Sequence, residues 1–264
     1  MIPILSRDGR AAVEDVARNR TLLAFDFDGT LAPIVPDRAS AAMRDSTRAL
    51  LRTAALLYPC AVVSGRPRRD VVARTEGIPL VAIVGNHGAE PGFGPVDRRI
   101  AGRVATWRSA VAARIAAVPS VDLEDKRLSL ALHYRGARSR PAALHAILAA
   151  VADLEGARIF AGDAVVNVVP VEAPTKGDAM RFLCERLGTR VAAYVGDDTT
   201  DEEAFQSDVV HVAIHVGPSG ASAARFSLPM QDAVDDLLRL LVAIRARQEG
   251  LGERWEGLVR AAGG

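Results

Sequence analysis

Asp26 and Asp28 stand either side of Phe27 in the run LLAFDFDGTLAPI, Leu22 to Ile34. Two carboxylates this close suit a divalent cation, or a nucleophile beside an acid. In an extended chain both project to one side while Phe27 points to the other, into a core. Gly29 lets the backbone turn sharply, and Thr30 can present a hydroxyl. A calcium loop is excluded, because it needs oxygen ligands at alternate positions and a closing Glu. Here Gly29 comes too early, Thr30 takes the next ligand place and Asp37 stands where the Glu belongs. Asp26 as a nucleophile remains, and it needs partners elsewhere in the chain.

Three later segments supply candidates, each just after an apolar run. Ala61-Val62-Val63 leads into Ser64-Gly65-Arg66, where a hydroxyl and free amides can hold a phosphate oxygen. Thr175-Lys176-Gly177 precedes the helical pattern AMRFLCERL, and Lys176 is a compact charge able to reach a phosphate. AAYVGDDTTDEEAF ends a strand at Gly196-Asp197-Asp198, with Asp201 opening a helix. A carboxylate at that second strand end can complete a metal site with Asp26.

In this order, DFDGT, Ser64, Lys176 and GDDTTD resemble the haloacid dehalogenase superfamily of phosphotransferases. The match runs from Leu22 to about Phe205. The resemblance implies that Asp26 attacks phosphorus, forming a phosphoaspartate. It implies that Asp28 protonates the leaving alcohol and then activates water. Magnesium would be held by Asp26, the Asp28 backbone carbonyl and Asp197, with Asp198 and Asp201 orienting metal-bound water. Thr30, Ser64 and Lys176 would bind the phosphoryl group. A carboxylate approaching a phosphate dianion meets like charge, which a cation and Lys176 must offset.

These residues need a scaffold, and periodicity outlines one. Strands are expected near 21–27, 59–63, 80–84, 191–195 and 209–214. Helices lie between them, including Ser40 to Leu57 and Lys176 to Leu187. An exposed helix is expected from about Asp8 to Arg20. Met230 to Gln248 is apolar at helical spacing and should pack on the sheet. Alternating strands and helices give an α/β fold. Its core is a Rossmann-like, doubly wound parallel sheet, with the site beyond the strand C-termini. At 264 residues the chain can bury one large core plus a smaller module.

Composition narrows the class. A formal net charge of +1 gives no pull toward nucleic acid or membrane, and GRPRRD reads as solvated surface. Cys60 and Cys184 read as buried reduced thiols, without zinc spacing. MIPILSRDGR lacks the long apolar core of a signal peptide. No segment reaches the ~20 apolar residues of a membrane span. The expected compartment is the cytoplasm.

The middle of the chain breaks the core pattern. From 103 to 170 it reads helix, two strands, helix, two strands, a small α+β cap inserted between core parts 1–102 and 171–264. Helices are expected at 103–117 and 139–154. In SVDLEDK and RLSLALHYR, Val121, Leu123, Leu128, Leu130, Leu132 and Tyr134 alternate with polar or small residues. One face suits the two helices, and the other is polar. Such a sheet is a lid that would close over the aspartates and read the leaving group.

Glu124-x-Lys126, LSLALHYR and Gly85-Asn86-His87-Gly88-Ala89-Glu90 resemble the trehalose-6-phosphate phosphatase family. The resemblance implies that Glu124 and Lys126 bind sugar hydroxyls and that Arg135 helps at phosphate or sugar. Gly65, Arg66, Asn86 and His87 would line the cleft. His133 reads equally as an exposed strand residue, and His145, His211 and His215 as structural or surface residues. The family usually carries a Glu three residues before a Pro on the last lid strand. Here VVNVVPVEAPTKG puts Asn167 in that place before Pro170, with Glu172 out of register. Asn167 can still donate to and accept from hydroxyls, without the charge.

The expected function is magnesium-dependent hydrolysis of a sugar phosphate, trehalose 6-phosphate first. The resemblance also suggests functional coupling to a trehalose-phosphate synthase. The alternatives are another sugar or glycosyl phosphate as substrate, or a non-catalytic sugar-phosphate sensor or regulatory partner of a synthase. Asp26, Asp28, Lys176 and Asp197 speak for the enzyme, because binding alone needs no aligned nucleophile and acid.

Overall fold

The structure is a computed structural model that describes residues 1–93, 95–218, 220–250 and 257. The chain forms two compact units, Met1–Gly92 with Thr175–Gly264, and Phe93–Pro174.

The first unit begins with strand β1 (Ile2–Pro3), helix α1 (Arg10–Arg18), β2 (Leu22–Phe25), α2 (Asp45–Leu57), β3 (Cys60–Val63), α3 (Arg68–Arg74) and β4 (Ala82–Val84). The second holds α4 (Arg98–Ile115), β5 (Asp122–Asp125), β6 (Leu130–His133), α5 (Arg140–Val151), β7 (Ala157–Gly162) and β8 (Val165–Pro170). The first resumes with α6 (Lys176–Leu187), β9 (Ala192–Gly196), α7 (Glu202–Phe205), β10 (Val210–Val216), β11 (Phe226–Leu228) and α8 (Ala233–Gln248).

The first unit's sheet has seven strands in the order β1-β11-β10-β9-β2-β3-β4. Every pairing in it is parallel. All four residues of β2 and of β3 are buried, as expected of strands covered on both faces. β2 lies between β3 and β9, so their C-terminal ends, carrying Asp26, Ser64 and Asp197, meet along one edge.

Some elements depart from their expected form. α1 is amphipathic rather than exposed: Val13, Val16 and Ala17 are buried in the core. α2 starts at Asp45 instead of Ser40, because Arg44 is extended and Asp37 caps a separate 3-10 turn over Arg38–Ser40. α4 starts at Arg98, ahead of the expected 103, with Asp97 accepting from the Arg99 amide as its cap. α6 has its expected bounds. A capping box of Thr175 and Asp178 starts it, and Gly188, left-handed at φ 63°, stops it. Among the described residues no helix is long and apolar enough to cross a membrane.

The second unit is an antiparallel sheet, β5-β6-β8-β7, backed by α4 and α5. Leu130, Leu132, Val166 and Val168 pack with Val104, Trp107, Val111 and Ile147 of the helices. This is the apolar face that alternation predicts.

Candidate active site

Beyond β2 the chain folds back on itself. The Asp26 amide donates to the Val195 carbonyl at 2.9 Å, and the Leu31 and Ala32 amides both donate to the Phe27 carbonyl. Phe27 is wholly buried in the core. Gly29 has φ +77°, and a Cβ there would lie 1.9 Å from an Asp197 carboxylate oxygen. Only glycine lets Asp197 come this close. Thr30, expected at the phosphate, donates its hydroxyl to Asp197 Oδ1 at 3.0 Å.

Asp26, Asp197 and Asp201 each bring a carboxylate oxygen within 4.8 Å of the others. Asp201 is fully committed. Its Oδ2 accepts from the amides of Asp197 and Asp198 at 3.0 and 2.9 Å. Its Oδ1 accepts from Lys176 Nζ and from the Tyr194 hydroxyl, both at 2.7 Å. That fills the roughly four lone-pair sites of a carboxylate, so Asp201 anchors the site instead of offering itself to a cation. Asp198 is spent on opening the next turn, accepting from the Thr199 amide at 2.7 Å.

Asp26 and Asp197 are placed otherwise. Among the described residues Asp26 Oδ1 receives no hydrogen bond, although the Lys176 ammonium lies 3.1 Å away. Burial pushes the Asp26 carboxyl well above the usual range; Lys176 opposes this, and the carboxylates of Asp201, Asp197 and Asp28 add to it. Burial, then the charge of Asp201, pushes Asp197 up to about 8. Two buried carboxyls brought together, each held from ionising by burial and by its acidic neighbours, fit a hard divalent cation bound through oxygen. Burial opposes the charge of Lys176, but Asp201 and Asp26 outweigh it and raise its pKa, keeping it an ammonium.

Ser64, Gly65, Asn86 and His87 come together in a pair of zipped loops. The His87 amide donates to the Ser64 carbonyl at 3.0 Å, and the Asn86 amide to the Arg66 carbonyl at 2.8 Å. The His87 ring packs on Gly65, where a Cβ would meet Cε1 at 2.4 Å. Asn86 and His87 are left-handed at φ 50° and 58°, a conformation that costs on the order of 1–3 kcal/mol. The Asn86 amide side chain is tied to Glu90 Oε2 at 3.0 Å.

Arg66 is not the solvated arginine that GRPRRD suggests. Its side chain is 10% exposed. Nε and Nη2 fork onto Asp28 at 2.6 and 2.7 Å, and Nη1 reaches Asp70 at 2.7 Å. Burial opposes its charge, but hydrogen bonds and charge from Asp28 and Asp70 raise its pKa overall. Cys60 and Cys184 are free, buried thiols. His145 and His211 are exposed, and His215 is buried.

In the second unit, the sheet face away from the helices has a row in register: Glu124 opposite Ala131, Ala131 opposite Asn167, and Asn167 opposite Phe160. Glu124 Oε2 lies 3.2 Å from His133 Nε2 and 4.0 Å from Lys126 Nζ. Glu124, Lys126 and Asn167 therefore share one face. Arg135 stands apart, in the turn two residues past the end of β6, and is bound to Asp163 Oδ2 at 2.7 Å.

Two partners escape sequence reasoning. Tyr194 holds Asp201, and its signal is an aromatic hydroxyl in the run AAYVG, on the side of β9 opposite Ala193 and Val195. Asp70 holds Arg66, and its signal is the i,i+4 spacing.

A family model described as Trehalose-phosphatase matches residues 24–222. A trehalose-phosphate phosphatase of Mycobacterium ulcerans is 33% identical over 216 residues, covering 77% of this chain and 53% of its own length. The chain thus spans about half the length of that curated relative. The C-terminal domain of Candida albicans trehalose-6-phosphate phosphatase superposes with a TM-score of 0.75 at 21% identity, over 92% of this chain and 99% of that one. The C-terminal domain of a Candida albicans trehalose synthase regulatory protein superposes with a TM-score of 0.69 at 12% identity, over 92% and 99%. At these identities the two structures show the shared fold alone.

Proposed function

Since the chain belongs to the trehalose-phosphatase family, we propose that it hydrolyses trehalose 6-phosphate to trehalose and phosphate through phospho-Asp26. One observation carries this reading: Lys176 Nζ sits 3.1 Å from Asp26, held there by buried Asp201. A binding protein needs no lysine aimed at an aspartate that could attack.

In the first half-reaction an Asp26 oxygen forms the bond to phosphorus while the sugar oxygen leaves. Asp28 gives that oxygen its proton. In the second half Asp28 takes a proton from water, which attacks phosphorus and frees Asp26. Lys176 offsets the repulsion between carboxylate and phosphoryl oxygens. The amides of the zipped Ser64 and His87 loops border the same strand ends. Magnesium would be held by Asp26, the Asp28 carbonyl and Asp197, supplying charge neutralisation at the phosphoryl group. Glu124, Lys126 and Asn167 would bind the sugar, with His133 fixing Glu124. Functional coupling to a synthase belongs to the same reading.

Asn167 favours a second reading, a different glycosyl phosphate on the same chemistry, because it replaces the Glu usual in this family. Phosphate release from a panel of sugar phosphates with magnesium decides between them. Trehalose 6-phosphate should give the highest kcat/KM. Preference for another sugar phosphate would support the second reading, and no turnover of any would favour a sensor.

A further inference from the structure

We propose that Arg66 is a positioning residue for Asp28 and not a phosphate ligand. The inference rests on the reading of Asp28 as the acid and base above. A lone aspartate in a loop can rotate about two side-chain bonds, but Asp28 cannot, because the guanidinium engages both of its oxygens, at 2.6 and 2.7 Å. A two-point contact of this kind fixes the plane of the carboxylate as well as its distance.

The clamp is itself rigid. Arg66 Nη1 donates to Asp70 at 2.7 Å, and Nη2 donates to the Arg38 carbonyl at 2.8 Å as well as to Asp28. The guanidinium carbon lies 5.6 Å from the centre of the Phe27 ring. Asp70 in turn takes Arg74 Nε at 3.1 Å, and Arg74 donates to the carbonyls of Ala39 and Ala41. All but one of the N–H groups of Arg66 are therefore spent within the protein. Little is left for a phosphate, while Asp28 keeps the outward lone pair on each oxygen for a proton in transit. Holding an acid in line shortens its search for the leaving oxygen, and the gain is larger the poorer the leaving group.

The test compares trehalose 6-phosphate, an alkyl ester, with p-nitrophenyl phosphate, whose leaving group needs little acid help. Arg66→Lys keeps the charge but cannot fork. It should lower kcat/KM for the alkyl ester by about 10–10² and for the aryl ester by less than about threefold. In an Asp28→Asn background, Arg66→Lys should add less than about twofold to the loss on the alkyl ester, because a residue acting through Asp28 has nothing left to position. Asp70→Asn, which leaves both members of the clamp in place, should reproduce the same selectivity on a smaller scale, and it serves if Arg66→Lys does not fold. Equal losses on both esters, or losses that multiply with those of Asp28→Asn, would overturn the positioning role and assign Arg66 to the phosphate or to the fold. If Asp28→Asn alone shows no leaving-group dependence, the acid reading fails first and the positioning role falls with it.

Discussion

The ammonium of Lys176 lies 2.7 Å from Oδ1 of Asp201, and neither side chain has more than 1% of its surface exposed. The pair is sealed inside the protein, and Asp201 is satisfied on both oxygens by Lys176, Tyr194 and two amides. The lysine facing Asp26 is thus placed by a residue that is itself wholly buried.

Removing one partner of such a pair leaves a buried charge uncompensated, which typically costs about 3–5 kcal/mol. Asp201→Asn should therefore lower unfolding stability by about that amount and reduce turnover sharply. Tyr194→Phe removes the hydrogen bond to the charged Asp201, along with a longer one to the Val63 carbonyl at 3.3 Å, and should cost about 1.5–3 kcal/mol. Urea denaturation measures both. A Tyr194→Phe protein as stable as the wild type would show that the hydroxyl carries no weight.

Asp26→Asn should fold and bind sugar phosphate, yet turn over more slowly by several orders of magnitude. An amide cannot serve as the attacking carboxylate. Rapid quench should find a covalent phosphoenzyme in the wild type and none in the variant. Near-normal phosphate release from folded Asp26→Asn would remove Asp26 from the role of nucleophile.

Metal-free protein should lose stability as pH rises. The Asp197 carboxyl binds its proton more tightly in the fold than its ordinary value of 3.8, up to about 8. Its contribution is therefore complete below pH 3.8 and disappears as pH climbs through about 8. In EDTA, Tm should fall between pH 6 and 8, and saturating magnesium should remove that fall while restoring activity. Asp197→Asn should flatten the EDTA profile. A wild-type Tm independent of both pH and magnesium would contradict a cation bound at these carboxylates.

Sugar selection should be lost separately from chemistry. Glu124→Ala and Lys126→Ala should each reduce kcat/KM for the disaccharide phosphate by about 10–10³, with far less effect on nitrophenyl phosphate. Asn167→Glu should maintain or improve trehalose 6-phosphate hydrolysis if that sugar is the natural one. If the wild type prefers another sugar phosphate, the same change should weaken its preferred reaction.

Much of this architecture is legible in residue spacing. The buried β2 run, the capped start of α6 and the alternation in β6 each follow from local pattern, and each is where that pattern puts it. Strands Ile2–Pro3 and Phe226–Leu228 are too short to carry a period, and only pairing with each other and with β10 makes them strands. The clamp on Asp28 is hidden for a different reason. Arg66 is expected in the cleft, but its fork onto Asp28 appears only when parallel strands bring the ends of β2 and β3 side by side. Tyr194 is likewise an ordinary strand aromatic until Asp201 folds back beneath it.

The interrupted core sets an order of assembly. Thr30 and Asp197 are hydrogen-bonded across 167 residues of sequence, and β2 lies beside β9, which follows the whole of the second unit. The second unit is one continuous segment, Phe93–Pro174, and its strand pairings, β5 with β6, β6 with β8 and β7 with β8, all close within it. Loop closure is easier for such local contacts, and chains fold as they emerge from the ribosome. Until β9 and Asp201 have been made, the nascent chain holds β2 without its neighbour on one side and Lys176 without the carboxylate that places it. On the proposed reading, the phosphate site is therefore completed late in synthesis, after the segment Phe93–Pro174 has been made.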